Sequence, residues 1–123
     1  MVEFQELKNK GFKFHQEGNF DETEKCYLEA LEINPNNAET HNLIGLLKLQ
    51  QNNFDKAVEW IKKAIKLEKN AYFYETLFQT LTFQEKFSEI IRYENDVKEF
   101  LENEFELNFY LALAYKNLNE IKK

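Results

Sequence analysis

The sequence predicts an all-α fold built of antiparallel helix pairs laid side by side. Three observations carry that prediction. Only 3 glycines and 1 proline occur in 123 residues, too few for a sheet folded through tight turns, while 43% apolar and 31% charged residues give the balance of a soluble globular domain. Apolar residues recur every three or four positions, the period of an amphipathic helix. The chain also resembles itself at a spacing of 34 residues. Laying 4–37 over the stretch that begins at 38 places Gly11 on Gly45, Phe20 on Phe54, Asp21 on Asp55, Ala30 on Ala64 and Asn36 on Asn70 without a gap. A length of 123 residues supports one domain.

Each unit reads as two helices. In the first, Leu7, Lys10, Gly11 and Phe14 share a face, and "EGN" at 17–19 interrupts it. Asn19 is expected to cap the next helix, with Glu22 three residues on as the returning acid of a capping box. That second helix carries Phe20, Thr23, Tyr27, Ala30 and Leu31 on one stripe. Pro35 ends it, because the proline ring disfavours helical geometry at Asn34 and supplies no amide hydrogen; it is also expected to start the helix that follows. Unit two repeats the plan: Asn53 as cap, then Phe54, Ala57, Ile61, Ala64 and Ile65. Gly11 and Gly45 stand inside helices, where glycine costs about 0.5–1 kcal/mol relative to alanine, so close helix approach must compensate, with small Thr23 and Ala57 as the expected partners. A third unit from Ala71, placed one residue early, sets Leu77, Leu81 and Phe87 on apolar positions; a fourth from Phe105 sets Leu111, Ala112, Tyr115 and Leu118 there.

This pattern resembles the tetratricopeptide repeat, a 34-residue helix–turn–helix with a small residue at its eighth position, alanine at the twentieth and twenty-seventh, and proline at the thirty-second. Unit one holds Gly11, Thr23, Ala30 and Pro35 in those slots; unit two holds Gly45, Ala57, Ala64 and Lys69. The resemblance is strong over 4–71 and weaker beyond. It implies a right-handed superhelix (α-solenoid) of about three and a half units and seven helices, with repeats at 4–37, 38–70, 71–104 and a partial fourth at 105–123. Unit three departs from the pattern: Phe78 fills the small slot, Ile90 the twentieth, and Lys86 stands where an asparagine capped before. Its second helix is therefore expected to pack differently. Glu94 falls within the apolar stripe of Phe87, Ile90, Ile91, Val97 and Leu101, which leaves open whether its charge is buried.

The resemblance implies a non-catalytic module that binds a peptide segment or partner protein in a concave groove lined by the first helix of each unit. Groove positions carried over residue by residue include Lys8, Phe12, His15, Asn42, Leu46, Leu49, Tyr72, Gln79, Phe83, Phe109, Leu113 and Lys116. Apolar anchors and amides of this kind suit an extended or helical segment. Relatives that capture acidic chaperone tails use a carboxylate clamp of lysines, asparagines and an arginine. Here Lys8 matches, while Phe12, Leu43, Tyr72 and Thr76 hold the remaining slots, so capture of an acidic C-terminal tail is disfavoured. The alternative is a docking or oligomerisation domain of a larger enzyme, such as a transferase, with its catalysis elsewhere.

Other classes find no support in the residues. A net charge of −6 and a basic content limited to dispersed lysines plus the pairs Lys62-Lys63 and Lys122-Lys123 exclude nucleic acid and anionic membranes as partners. His15 and His41 have no cysteine or acid at ligand spacing, and no phosphate-loop motif occurs, so neither metal nor cofactor is expected. Cys26 is the only cysteine and reads as a packing residue of a reducing compartment; with no signal segment or membrane span the expected location is cytoplasmic. The closing stretch "ELNFYLALAYKNL" is apolar nearly all round, and "NEIKK" reads as a turn into another helix. The chain is thus expected to be part of a longer protein, or to self-associate through its last helix.

Overall fold

The computed structural model describes residues 3–121, so the Lys122-Lys123 pair lies outside it. The described residues are helical throughout, joined by short turns, and the chain divides into two compact units, Met1–Glu68 and Lys69–Lys123. Unit 1 holds four helices: α1 (Glu3–Gln16), α2 (Phe20–Ile33), α3 (Ala38–Gln50) and α4 (Phe54–Leu67). Packing joins α1 to α2, α2 to α3 and α3 to α4, the order expected of consecutive hairpins. Its core is Tyr27, Ala30, Ile44, Leu47, Ala57, Ile61 and Ala64, all without solvent exposure. Full burial of each large member contributes roughly 1.5–3 kcal/mol.

The two helix glycines explain how closely these helices lie. A Cβ on Gly11 would sit 2.6 Å from the Tyr27 ring and 3.1 Å from Cys26 Cβ. One on Gly45 would sit 2.5 Å from Ile61 Cγ1 and 3.3 Å from the Ala57 carbonyl. Ala57 is thus the partner expected for Gly45, whereas Gly11 faces the Tyr27 ring in place of Thr23. Thr23 is buried with its hydroxyl donated to the Asn19 carbonyl at 2.8 Å.

Every hairpin turn is made the same way. The Asn19, Asn53 and Lys86 amides donate to the Phe14, Lys48 and Leu81 carbonyls at 2.9, 2.9 and 2.8 Å, the six-to-one bond that closes a helix C-terminus. The residue before each donor is left-handed: Gly18 at φ +78, Asn52 at 61, Glu85 at 57. Caps follow the sequence reading in part. Asn37 Oδ1 accepts from the Thr40 amide at 2.8 Å and Asn53 Oδ1 from Lys56 at 3.4 Å. Asn19 precedes α2 but its side chain makes no cap bond, so the expected box with Glu22 does not form. Pro35 ends α2 as expected but lies in the turn, with Asn37 and not the proline opening α3.

Unit 2 contains α5 (Ala71–Phe83), α6 (Phe87–Arg92), α7 (Glu94–Val97), a 3-10 turn at Lys98–Phe100 and α8 (Phe105–Ile121). The seven helices expected become eight α-helical segments among the described residues, because the second helix of the third unit is broken at Tyr93. Burial gives the reason. Phe78, at the slot of Gly11 and Gly45, is fully buried, and its ring meets Tyr93 at 6.2 Å while Tyr74 meets Tyr93 and Phe100 at 6.1 and 6.2 Å. Aromatic rings occupy the space that backbone contact occupies in unit 1. Helix α8 packs on both α5 and α6. Its buried residues are Leu107, Leu111 and Ala114. Helix α8 starts 34 residues after α5, and Leu107, Leu111 and Ala114 likewise stand 34 after the buried Phe73, Leu77 and Thr80, while Ala112 and Tyr115, expected on the apolar side, are exposed. The turn expected at "NEIKK" is absent through Ile121, since α8 continues to that residue.

Candidate functional site

The residues nominated for the groove fall into one set in each unit. In unit 1 an open cleft of about 390 Å³ is lined by Phe12, His15 and Gln16 of α1, Gly18 of the turn, and Leu43, Leu46 and Gln50 of α3. It brings together the nominated Phe12, His15 and Leu46. Phe12 is 47% exposed, a large apolar ring facing water at the cleft mouth. His15 Nε2 lies 2.6 Å from Gln50 Oε1, which makes the ring nitrogen the donor and ties α1 to α3. Edge-on contacts to Phe20 and Tyr27, at 5.9 and 6.5 Å between centroids, fix the imidazole plane from α2.

Two nominated residues are not on this surface. Asn42 is 1% exposed and Leu49 is 8% exposed. They stand three residues before and four after Gly45, on the helix face laid against α4. The stripe that opens into the cleft is Leu43, Leu46 and Gln50, partly one position out of phase with the one read from the repeat. The misfit was readable: a residue at i−3 or i+4 from a close-packed glycine shares its buried side.

Lys8 is held in an ion pair with the exposed Glu39 carboxylate of α3. The only cation matching a clamp position is thus already neutralised within the unit. Its other slots offer no replacement. Phe12 and Leu43 line the apolar cleft, Tyr72 is half exposed, and Thr76 is buried with its hydroxyl donated to the Tyr72 carbonyl at 3.0 Å.

In unit 2, Tyr72, Phe83, Phe109 and Lys116 are exposed, while Gln79 and Leu113 are half-buried. Asn117, a further amide of this register, donates to the Leu113 carbonyl of its own helix at 2.8 Å. Glu94 is half-buried and accepts a hydrogen bond from the Tyr115 hydroxyl, which supplies the partner its charge required. That bond and, less, burial push the Tyr115 hydroxyl up.

Side chains with reactive potential are restrained. Cys26 is buried beneath Gly11, and burial, opposed most by Lys10, pushes its thiol up, away from the thiolate a nucleophile needs. Burial likewise pushes the Tyr27 hydroxyl up. Among the described residues no group of three His, Cys, Asp or Glu side chains is placed to hold a metal ion, and no helix is long and apolar enough to cross a membrane.

Comparison with known proteins places this geometry. The family described as "TPR repeat" matches residues 11–52, and "Tetratricopeptide repeat" matches 38–70. A curated relative, the Hsp70-Hsp90 organising protein of Plasmodium falciparum (isolate 3D7), is 39% identical over 64 residues. The match covers 52% of this chain and 11% of that protein, so this chain spans a small part of its relative. Among solved structures, the Sgt2 TPR domain from Aspergillus fumigatus superposes with a TM-score of 0.86 at 17% identity, covering 99% of this chain and 83% of that one. The first TPR of Spaghetti (RPAP3), bound to the HSP90 peptide SRMEEVD, superposes with a TM-score of 0.83 at 23% identity, covering 95% and 96%.

Proposed function

The chain belongs to the tetratricopeptide-repeat family, and from that premise we propose that it is a non-catalytic interaction module binding an extended segment of a partner protein in the unit 1 cleft. The observation that carries the reading is the juxtaposition of exposed Phe12 with Leu43 and Leu46, rimmed by Gln16 and Gln50. An apolar side chain of the partner enters the cleft, and the amides meet its backbone, the division of labour expected where a peptide adds to a helical surface. The named relative and the HSP90-peptide complex support a peptide as the class of partner. They do not carry the acidic tail across, because Lys8 is paired with Glu39 and no lysine or arginine lines the cleft. The setting we infer is the cytoplasm, in keeping with a single cysteine that can form no internal disulfide.

Two measurements test this. Affinity capture from the native cell, read by mass spectrometry, should lose its specific partner with the Phe12→Ala/Leu46→Ala variant while the melting temperature changes little; unaltered capture contradicts the cleft. Labelled SRMEEVD should show no saturable anisotropy change with the chain, and micromolar binding would restore the acidic-tail reading. Self-association through α8 is supported by the exposed Phe105 and Phe109 and opposed by the carboxylates beside them.

A further inference from the structure

The cleft does not account for an exposed aromatic pair on α8, one member of which is the most exposed large apolar side chain among the described residues. Phe105 is 74% and Phe109 49% exposed, one turn apart on α8, with rings stacked at 6.3 Å between centroids. Tyr110 meets Phe109 edge-on at 5.6 Å. Isolated surface aromatics need no explanation, but a stacked pair continued by a third ring forms a contiguous apolar face. Three carboxylates surround it: Glu106 on α8, Glu104 just before it and Glu75 on α5. Burial, then Glu106 and Glu104, push the Glu75 carboxyl up; burial, then Glu75 and Glu106, push the Tyr110 hydroxyl up. Among the described residues none of the three acids is in an ion pair, whereas Lys69 is engaged with Glu99 at 2.8 Å. Residues 69–119 contain nine acids and five cations. The turn that carries Glu104 is fixed, since Asn108 Nδ2 donates to the Leu101 and Glu104 carbonyls at 2.6 and 3.0 Å.

The charge identifies the occupant. A second copy meeting this face through its own would bring two sets of like carboxylates together, which opposes the contact. A basic side chain satisfies both halves: its guanidinium or ammonium lies over the ring faces, and its N–H groups meet the carboxylates. We propose that the Phe105–Phe109–Tyr110 face docks a basic segment of a partner protein, with an Arg or Lys side chain lying on the stacked rings among Glu75, Glu104 and Glu106. The inference is independent of the unit 1 cleft and reverses the charge of the acidic peptide bound by the Spaghetti structure.

Fluorescence anisotropy of the full chain tests it with three labelled probes of about twelve residues, identical in apolar content and carrying Arg, Gln or Glu at the same four positions. The Arg probe should bind about tenfold or more tighter than the Gln probe, weaken with added salt, and leave the Glu probe unbound. Phe109→Ala and Glu75→Gln/Glu106→Gln should each weaken the Arg probe about fivefold or more. Glu29→Gln/Glu32→Gln, which removes equal charge from exposed positions of α2, should change it less than about twofold, and so should the cleft variant Phe12→Ala/Leu46→Ala. Phe105→Ala serves in place of Phe109→Ala should the latter fail to melt normally. Equal binding of the Arg and Gln probes, or an equal loss from the α2 control, overturns the proposal, as does a sedimenting dimer that Phe109→Ala dissociates.

Discussion

Helices α3 and α4 form a hairpin of two long helices, whereas in the hairpin that α5 opens the second helix, α6, ends after six residues. The two hairpins begin alike. Both first helices are 13 residues long, both close with the same six-to-one bond, and both turns use a left-handed residue. The difference enters at one slot, glycine at 45 and phenylalanine at 78. With no side chain at 45, the Ala57 carbonyl and Ile61 come up against the α3 backbone, and α4 continues for 14 residues. A ring at 78 holds the partner off, and aromatic contacts among Tyr74, Phe78, Tyr93 and Phe100 replace that backbone approach. Neither Pro nor Gly lies at the break, so tertiary packing and not a local helix breaker is its cause.

Exchanging the slot residues should have the largest effects. Phe78→Gly removes a fully buried ring that the broken α6–α7 segment is built around, and should destabilise the chain by about 3–5 kcal/mol in urea unfolding without lengthening α6. A milder loss, or a gain of helix by circular dichroism, would show that the ring is an intruder and not a core residue. Gly45→Ala should cost about 1–3 kcal/mol, because its Cβ would stand 2.5 Å from Ile61 Cγ1 beside an immovable carbonyl.

The turns sharpen the contrast at lower cost. Glu85 adopts φ 57, where Gly18 and Asn52 stand in the other two turns. Glu85→Gly should therefore stabilise by about 0.5–1 kcal/mol, measured as a raised melting temperature, while the same change at half-buried Glu89 inside α6 should destabilise. Glu75 gives the smallest effect. Its folded-state carboxyl lies above the ordinary range, so its protonated form favours folding; the penalty is present at neutral pH and relieved as pH falls through the carboxylate range. Glu75→Gln should raise the melting temperature at pH 7 by about 1–3 °C, and the difference from wild type should vanish near pH 3.

Much of the fold was legible because two units repeat the same local physics. Gly11 over Gly45 announced close helix contact, Pro35 announced a helix end, and Asn53 announced a cap. The fine placement was not, for reasons particular to each residue. Asn19 has the sequence of a cap, but Thr23 takes its carbonyl and its side chain stays unbonded. Asn42 and Leu49 occupy groove positions by repeat counting, yet the glycine between them turns that face inward. The break at Tyr93 depends on rings brought together from α5 and the 3-10 turn, a contact that helical periodicity does not encode. Phe78 in a glycine slot, with Ile90 and Lys86 also off the repeat pattern, was the sequence's warning of it.

Amide-by-amide hydrogen exchange on the native chain addresses the contrast between these hairpins most directly. Protection should run unbroken through Phe20–Ile33 and Phe54–Leu67 and fall by about a hundredfold or more after Arg92, across 93–103. Equal, continuous protection from Phe87 through that stretch would mean that Phe78 supports a regular helix pair, and the link drawn between slot size and hairpin geometry would be wrong.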